Sequence, residues 1–247
     1  MYIKVFIGAL LPLVGTTVGS LIAFAPFKKL SRGISALLSG FASGVMLAAS
    51  VWSLILPATE YSSLGRFCFV EICIGLTSGL IMMLFSEKYI AEKLKNASKE
   101  KLLYFAVTLH NIPEGMAIGA AYSAYICIGD ESLALSAMLL SIGIAVQNIP
   151  EGAIVSVPLE NMKSSKAFIN GILSGVVEPL AVILTVLLSE LLVPLLPFML
   201  SFAGGTMIFV VLKELVPDFS NAEEYKRGIT AFFTGFMIMM SLDVALG

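Results

Sequence analysis

Residues 102–127 read LLYFAVTLHNIPEGMAIGAAYSAYIC, and residues 132–158 read SLALSAMLLSIGIAVQNIPEGAIVSVP. Each stretch is long enough to cross a bilayer, for which about 20 mostly apolar residues at a 1.5 Å rise suffice. Each is interrupted by the same polar pattern. The first carries His110-Asn111-Ile112-Pro113-Glu114-Gly115, and the second carries Gln147-Asn148-Ile149-Pro150-Glu151-Gly152. The pair is an internal repeat of the form (His/Gln)-Asn-Ile-Pro-Glu-Gly. It puts carboxylates where lipid would ordinarily exclude them.

The rest of the chain has the same character. Of its 247 residues 58% are hydrophobic and 13% charged, with a mean hydropathy of +0.96. Soluble domains are about 45–50% apolar and about 25% charged. Apolar runs predict eight membrane spans, at about 5–26, 34–57, 67–86, 102–127, 132–158, 167–189, 192–217 and 228–246. The expectation is an all-α membrane protein, a single polytopic domain over residues 1–247. Its longest connection falls at 87–101, so no soluble domain fits between spans. The first span follows Lys4 without a small-residue cleavage pattern, and reads as a retained helix. A net charge of -2 excludes a nucleic-acid partner. Cys68, Cys73 and Cys127 form no metal-binding or disulfide pattern.

Basic residues orient the spans. With the N-terminus outside, the inner connections hold Lys28, Lys29, Arg32, Lys88, Lys93, Lys95, Lys99, Lys101, Lys163, Lys166, Lys213, Lys226 and Arg227, that is, 13 of the 15 Lys and Arg. Only Lys4 and Arg66 fall outside. This asymmetry obeys the positive-inside bias and predicts both termini outside.

Inside the spans, Glu114, Glu151 and Glu178 are each next to or near a proline, and His110 is the only histidine. A charge at the bilayer centre is unfavourable by at least about 2.5 kcal/mol and marks a pathway more often than a lipid-facing position. His110 and Glu114, like Gln147 and Glu151, stand four apart and so share a helix face. Pro113 frees the carbonyl of Leu109 and Pro150 that of Val146, which predicts broken helices that expose backbone oxygen. The three glutamates lie at similar depth. Imidazole, carboxylates and amide oxygens suit Zn²⁺, Fe²⁺, Mn²⁺ or Co²⁺ better than Cu⁺. Three carboxylates accommodate one divalent ion comfortably and two almost neutrally. A single histidine argues against an intramembrane metalloprotease, which needs two with a general-base glutamate, and no GxSxG nucleophile is present. The rival readings are an intramembrane metal-dependent enzyme and a metal-sensing membrane protein.

These residues resemble the ZIP family of divalent metal transporters, most closely its GufA-like bacterial branch. The resemblance covers essentially the whole chain and includes Ala42–Ser50, Trp52-Ser53 and Pro57-Ala58-Thr59-Glu60. It implies eight helices in a ZIP-type bundle, with inverted repeats formed by the first three and last three helices around the fourth and fifth. It also implies a mid-membrane two-metal site. Carried over by motif, the ligands are His110, Asn111, Glu114, Gln147, Asn148, Glu151 and Glu178, with Glu114 and Glu151 bridging. The resemblance further implies an outer entrance lined by Met46, Ser53 and Glu60, spaced seven apart, and an exit role for Glu214. Lys213 departs from the family pattern, as does Gln147, where many relatives carry histidine. The expected cargo is a divalent metal, Zn²⁺ first, taken into the cytoplasm across the inner membrane, with no resident cofactor and no catalytic residues. The expected partners are metal ions and membrane lipid. The resemblance is compatible with a homodimer, and Gly33, Gly40 and Gly44 offer close helix packing.

Overall fold

A bilayer core holds no water, so backbone N–H and C=O groups must find partners within the chain. Accordingly, every regular element among the described residues is helical. The computed structural model describes residues 2–25, 31–93, 99–156, 163–188, 195–212 and 222–246.

Helix α1 (Tyr2–Ser20) is extended by a 3₁₀ turn at Leu21–Phe24. Helix α2 (Arg32–Ala49) starts on the Ser31 side chain, which accepts from the Ile34 N–H, and runs through a π-helical stretch at Ser50–Ile55 into α3 (Leu56–Tyr61). Then follow α4 (Cys68–Lys93), α5 (Lys99–Ile128), α6 (Glu131–Val155), α7 (Ser164–Gly175), α8 (Val177–Leu187), α9 (Leu196–Val210) and α10 (Ala222–Leu246). Gly129, at φ +79°, makes the tight turn from α5 to α6. Asp130 caps α6 by accepting from the Ser132 N–H at 2.9 Å, and that bond holds its carboxyl below the ordinary aspartate range.

Among the described residues, six stretches are long and apolar enough to cross a membrane: Tyr2–Phe24, Arg32–Tyr61, Gly65–Tyr89, Glu131–Val155, Ser164–Leu187 and Ala222–Ala245. The expected spans at 102–127 and 192–217 lie on α5 and α9, which are not among the six. Helix α9 is apolar but has only 15 residues. The surface pattern is that of a membrane protein. Large apolar side chains such as Phe6, Phe69, Phe85, Leu180 and Phe233 are exposed, while Asn111, Glu114, Gln147, Asn148, Glu151 and Glu178 are buried.

Two local expectations are corrected. The connection expected at 87–101 is shorter, because α4 continues to Lys93 and α5 begins at Lys99. Residues 87–93 hold good helix formers and no Gly or Pro, so nothing stops the helix. Nor do the motif prolines break their helices. Pro113 and Pro150 sit inside continuous α5 and α6. The interruption comes instead at Val176, between α7 and α8, just before Glu178-Pro179. Pro179 falls in the first turn of α8, where its missing N–H has no intrahelical partner to lose.

The helices pack in two groups. In one, α1 lies along α6 and α5 along α8, with α7 beside α1. In the other, α2 lies along α10 and α4 along α9. Contacts of α2 with α6 and of α9 with α5 join the groups. Small residues permit these approaches. A Cβ on Gly40 would run into the Gly228 backbone, one on Gly44 into the Phe232 carbonyl, and one on Gly33 into the Arg227 side chain. The glycines considered for close helix packing thus serve α2 and α10 within one chain. Gly44→Leu is expected to destabilise the protein by about 1–3 kcal/mol through overpacking. A lowered midpoint in a detergent melting experiment checks this; an unchanged midpoint contradicts the α2–α10 seam.

Candidate metal site

Helices α5, α6 and α8 bring the intramembrane polar residues together. Asn111 and Glu114 face inward from α5; Gln147, Asn148 and Glu151 from α6; Glu178 from the first turn of α8. All six are at least 96% buried. His110 stands one turn before Glu114 on α5, and its side chain lies outside the described residues. Lys213 and Glu214 also lie outside them.

Hydrogen bonds order the cluster. Gln147 Nε2 donates to Glu114 Oε1 at 2.9 Å. Asn148 Nδ2 donates to both oxygens of Glu178, at 3.0 and 2.9 Å. On its other side the same nitrogen approaches Thr16 Oγ1 at 3.3 Å and the Pro12 carbonyl at 3.4 Å. Asn111 Nδ2 donates to the Ser174 carbonyl at 3.0 Å. Each amide therefore spends its nitrogen on a neighbouring oxygen.

The atoms left over share one polarity. Asn111 Oδ1, Glu114 Oε2, Gln147 Oε1 and Asn148 Oδ1 are buried acceptors with no donor. A buried acceptor without a partner is destabilising by about 1–3 kcal/mol. Four in one cluster are a deficit of positive charge or of protons. No lysine or arginine is buried among the described residues, so the protein supplies no counter-charge. Glu114, Glu151 and Glu178 are near enough to repel one another. A cation fits this donor set, because hard oxygens from carboxylates and amides are metal ligands. Among the described residues, no three His, Cys, Asp or Glu side chains approach to ligating distance as they stand.

The two motifs make matching contacts. The motif glycine of α5, Gly115, abuts the Glu178 backbone of α8; that of α6, Gly152, abuts the Thr16 backbone of α1. The motif asparagine of α5 bonds the carbonyl four residues before Glu178, and that of α6 approaches the carbonyl four residues before Thr16.

A cavity of about 350 Å³ opens at the end where α5 turns into α6. Ser53, Glu60, Tyr61, Ser132 and Asp243 are among its lining residues. Its inner wall includes Ala121 and Leu140, each two helical turns, or about 10 Å, from Glu114 and Gln147 respectively. Ser53 Oγ donates to Asp243 Oδ1 at 2.8 Å, and Asp243 Oδ2 is a buried acceptor without a donor. Met46, expected on the same face, is fully buried in the core and not on the cavity. Met46 precedes Ser53 by about two helical turns and so lies deeper than the cavity. Asp243 was not singled out from the sequence. Its signal was there, as an acidic residue in the apolar run Met237–Leu246.

The sequence model described as "ZIP Zinc transporter" matches residues 100–243, the region that holds both motifs and Glu178. The chain belongs to the ZIP zinc transporter family. It is 31% identical to the zinc transporter ZIP11 of Xenopus tropicalis, over 98% of this chain and 96% of that protein. The human zinc transporter ZIP11 is 30% identical over 84% of this chain and 87% of its own length. The zinc transporter ZIPB of Bordetella bronchiseptica is 30% identical over 94% and 78%. The chain is thus an integral membrane protein of a metal-ion transport family, and its relatives carry transporter names, not enzyme names. Within the site, Gln147→Leu leaves Glu114 Oε1 without its donor. The metal-free variant is expected to lose about 1–3 kcal/mol of stability. Chemical or thermal melting in detergent measures it, and an unaltered midpoint would show that the Gln147–Glu114 bond does not hold the site.

Proposed function

We propose that this chain carries divalent transition-metal ions, zinc foremost with iron, manganese and cadmium as further candidates, into the cytoplasm through a mid-membrane two-metal site. The observation that carries the reading is the buried cluster of acceptor oxygens, beside which no lysine or arginine is buried among the described residues. Its ligands are His110, Asn111, Glu114, Gln147, Asn148, Glu151 and Glu178, and Glu114 and Glu151 bridge two ions. Three carboxylates and exchangeable amides hold a cation less tightly than a closed structural site does, which suits capture followed by release.

The chain crosses the inner membrane eight times as one polytopic domain, with both termini outside. The inverted repeat is supported by the pairing of elements. Exchanging α1 with α7–α8, α2–α3 with α9, α4 with α10 and α5 with α6 turns the α1–α6 contact into α8–α5. The same exchange turns α2–α10 into α9–α4. The matching contacts of Gly115 and Gly152 follow the same exchange. In this orientation the cavity lined by Ser53, Glu60 and Asp243 faces outward, above the site. It serves as the entrance, and Glu214 serves release. Transport proceeds as one helix group moves against the other around the bound ion.

Uptake of radioactive zinc into proteoliposomes tests the reading, with wild type beside Glu114→Ala. Saturable uptake is expected in the wild type, with a loss of at least tenfold in the variant. Excess cold Fe²⁺, Mn²⁺ or Cd²⁺ ranks the cargo by competition. Undiminished uptake by Glu114→Ala would overturn the site.

A further inference from the structure

Thr16 lies outside both repeated motifs and is buried four residues before the end of α1, against Asn148 and Gly152 of α6. Its hydroxyl donates its one hydrogen to the Pro12 carbonyl at 3.2 Å. Only a lone pair remains to face Asn148, whose Nδ2 stands 3.3 Å away. The opposite side of that nitrogen serves the Glu178 carboxylate, an acceptor as well. Both neighbours of Asn148 therefore demand its NH₂ end. The amide cannot turn over without setting its oxygen against two acceptors. Its Oδ1 is consequently left buried without a donor, as a ligand for a cation.

The packing around Thr16 is equally close. Gly152, next to Glu151, abuts its backbone, and Gly175, three residues before Glu178, abuts its side chain. Larger residues at either glycine would force α6 or α7 away from α1. Thr16 also occupies, against Gly152 and Asn148, the place that Glu178 occupies against Gly115 and Asn111. One of these matching positions holds a carboxylate that faces the site. The other holds a hydroxyl that supports it.

We propose that Thr16 is a positioning residue for the metal site, fixing through the Pro12–Thr16–Asn148–Glu178 chain which atom of Asn148 faces the ion. This rests on the transport reading above. Thr16 does not touch the ion. It makes α1 a fourth wall of a site otherwise built from α5, α6 and α8. Replacing the hydroxyl by a methyl of the same shape removes one of the acceptors that hold the NH₂ end of Asn148 and leaves Glu178 and the Pro12 carbonyl to oppose its rotation, so the oxygen faces the ion less strictly and capture weakens while the helix packing stays in place.

Zinc uptake into proteoliposomes, read as KM and maximal rate, tests this with Thr16→Val, Thr16→Ser and Thr16→Ala. Zinc-induced thermal stabilisation of the detergent-solubilised protein gives an independent affinity. Thr16→Val is expected to raise KM, and the zinc concentration needed for half-maximal stabilisation, by about fivefold to tenfold, with the maximal rate within twofold of wild type. Thr16→Ser is expected to keep both near wild type, because it keeps the hydroxyl. Thr16→Ala removes the hydroxyl and the bulk without the risk of misfit, and is expected to raise KM as the valine does; it decides the matter if the valine variant does not fold. A wild-type KM in Thr16→Val or Thr16→Ala overturns the proposal. So does an equal loss in the serine and valine variants, which would make Thr16 a packing residue only. Glu114→Ala run in parallel separates the two readings: if it transports normally, the site assignment fails; if it is inactive while Thr16→Val keeps a wild-type KM, only the role of Thr16 fails.

Discussion

The structure depends on a charge imbalance. Three glutamates are buried in a helical bundle surrounded by lipid, and the described residues bury no lysine or arginine beside them. Lipid cannot solvate a carboxylate, and an isolated buried charge is prohibitively unfavourable. The side-chain amides offset part of this imbalance. Gln147 and Asn148 give their N–H groups to Glu114 and Glu178, and so their oxygens add to the surplus of acceptors. A cation at the cluster would complete it. On that reading, binding of the cation and stability of the bundle would be linked, as the mass-action relation between ligand and folded state requires.

Much of this was legible in the residues. The repeat (His/Gln)-Asn-Ile-Pro-Glu-Gly named two helices, and apolar length named the all-helical membrane class. What was not legible had local physical causes. A charged stretch such as residues 87–93 reads as a loop by hydropathy, yet its helix propensity is high and α4 continues through it. Prolines in water-exposed helices break them, but Pro113 and Pro150 are held by neighbouring helices, so α5 and α6 stay whole. The interruption at Val176 falls where a proline can begin a new helix turn instead of ending one. Met46 is a matter of depth: it lies about two helical turns inward of Ser53, and a seven-residue spacing places residues on one face without saying how far along it a cavity reaches. Thr16 was missed for a different reason. A threonine in an apolar span satisfies itself by bonding back to a carbonyl four residues earlier, and only the tertiary contact with Asn148 gives it a further part.

The symmetry of the contacts gives the last step. Glu178 and Thr16 occupy matching places against the two motifs, yet only one is charged. A carboxylate at both places would bring the cluster, with Glu114 and Glu151, to a formal charge that two divalent ions neutralise completely. Complete neutralisation in a low-dielectric site favours retention, because each departing ion leaves uncompensated charge behind. On the proposed two-ion reading, a hydroxyl at the Thr16 position would leave two ions in excess of the carboxylate charge, and their mutual repulsion would favour loss of one. A transporter gains nothing from its tightest binding state; it needs a site whose affinity permits both loading and release. On the proposed transport reading, the departure from symmetry at Thr16 would serve release. The contacts of the two motifs repeat, and the charge at the matching positions does not.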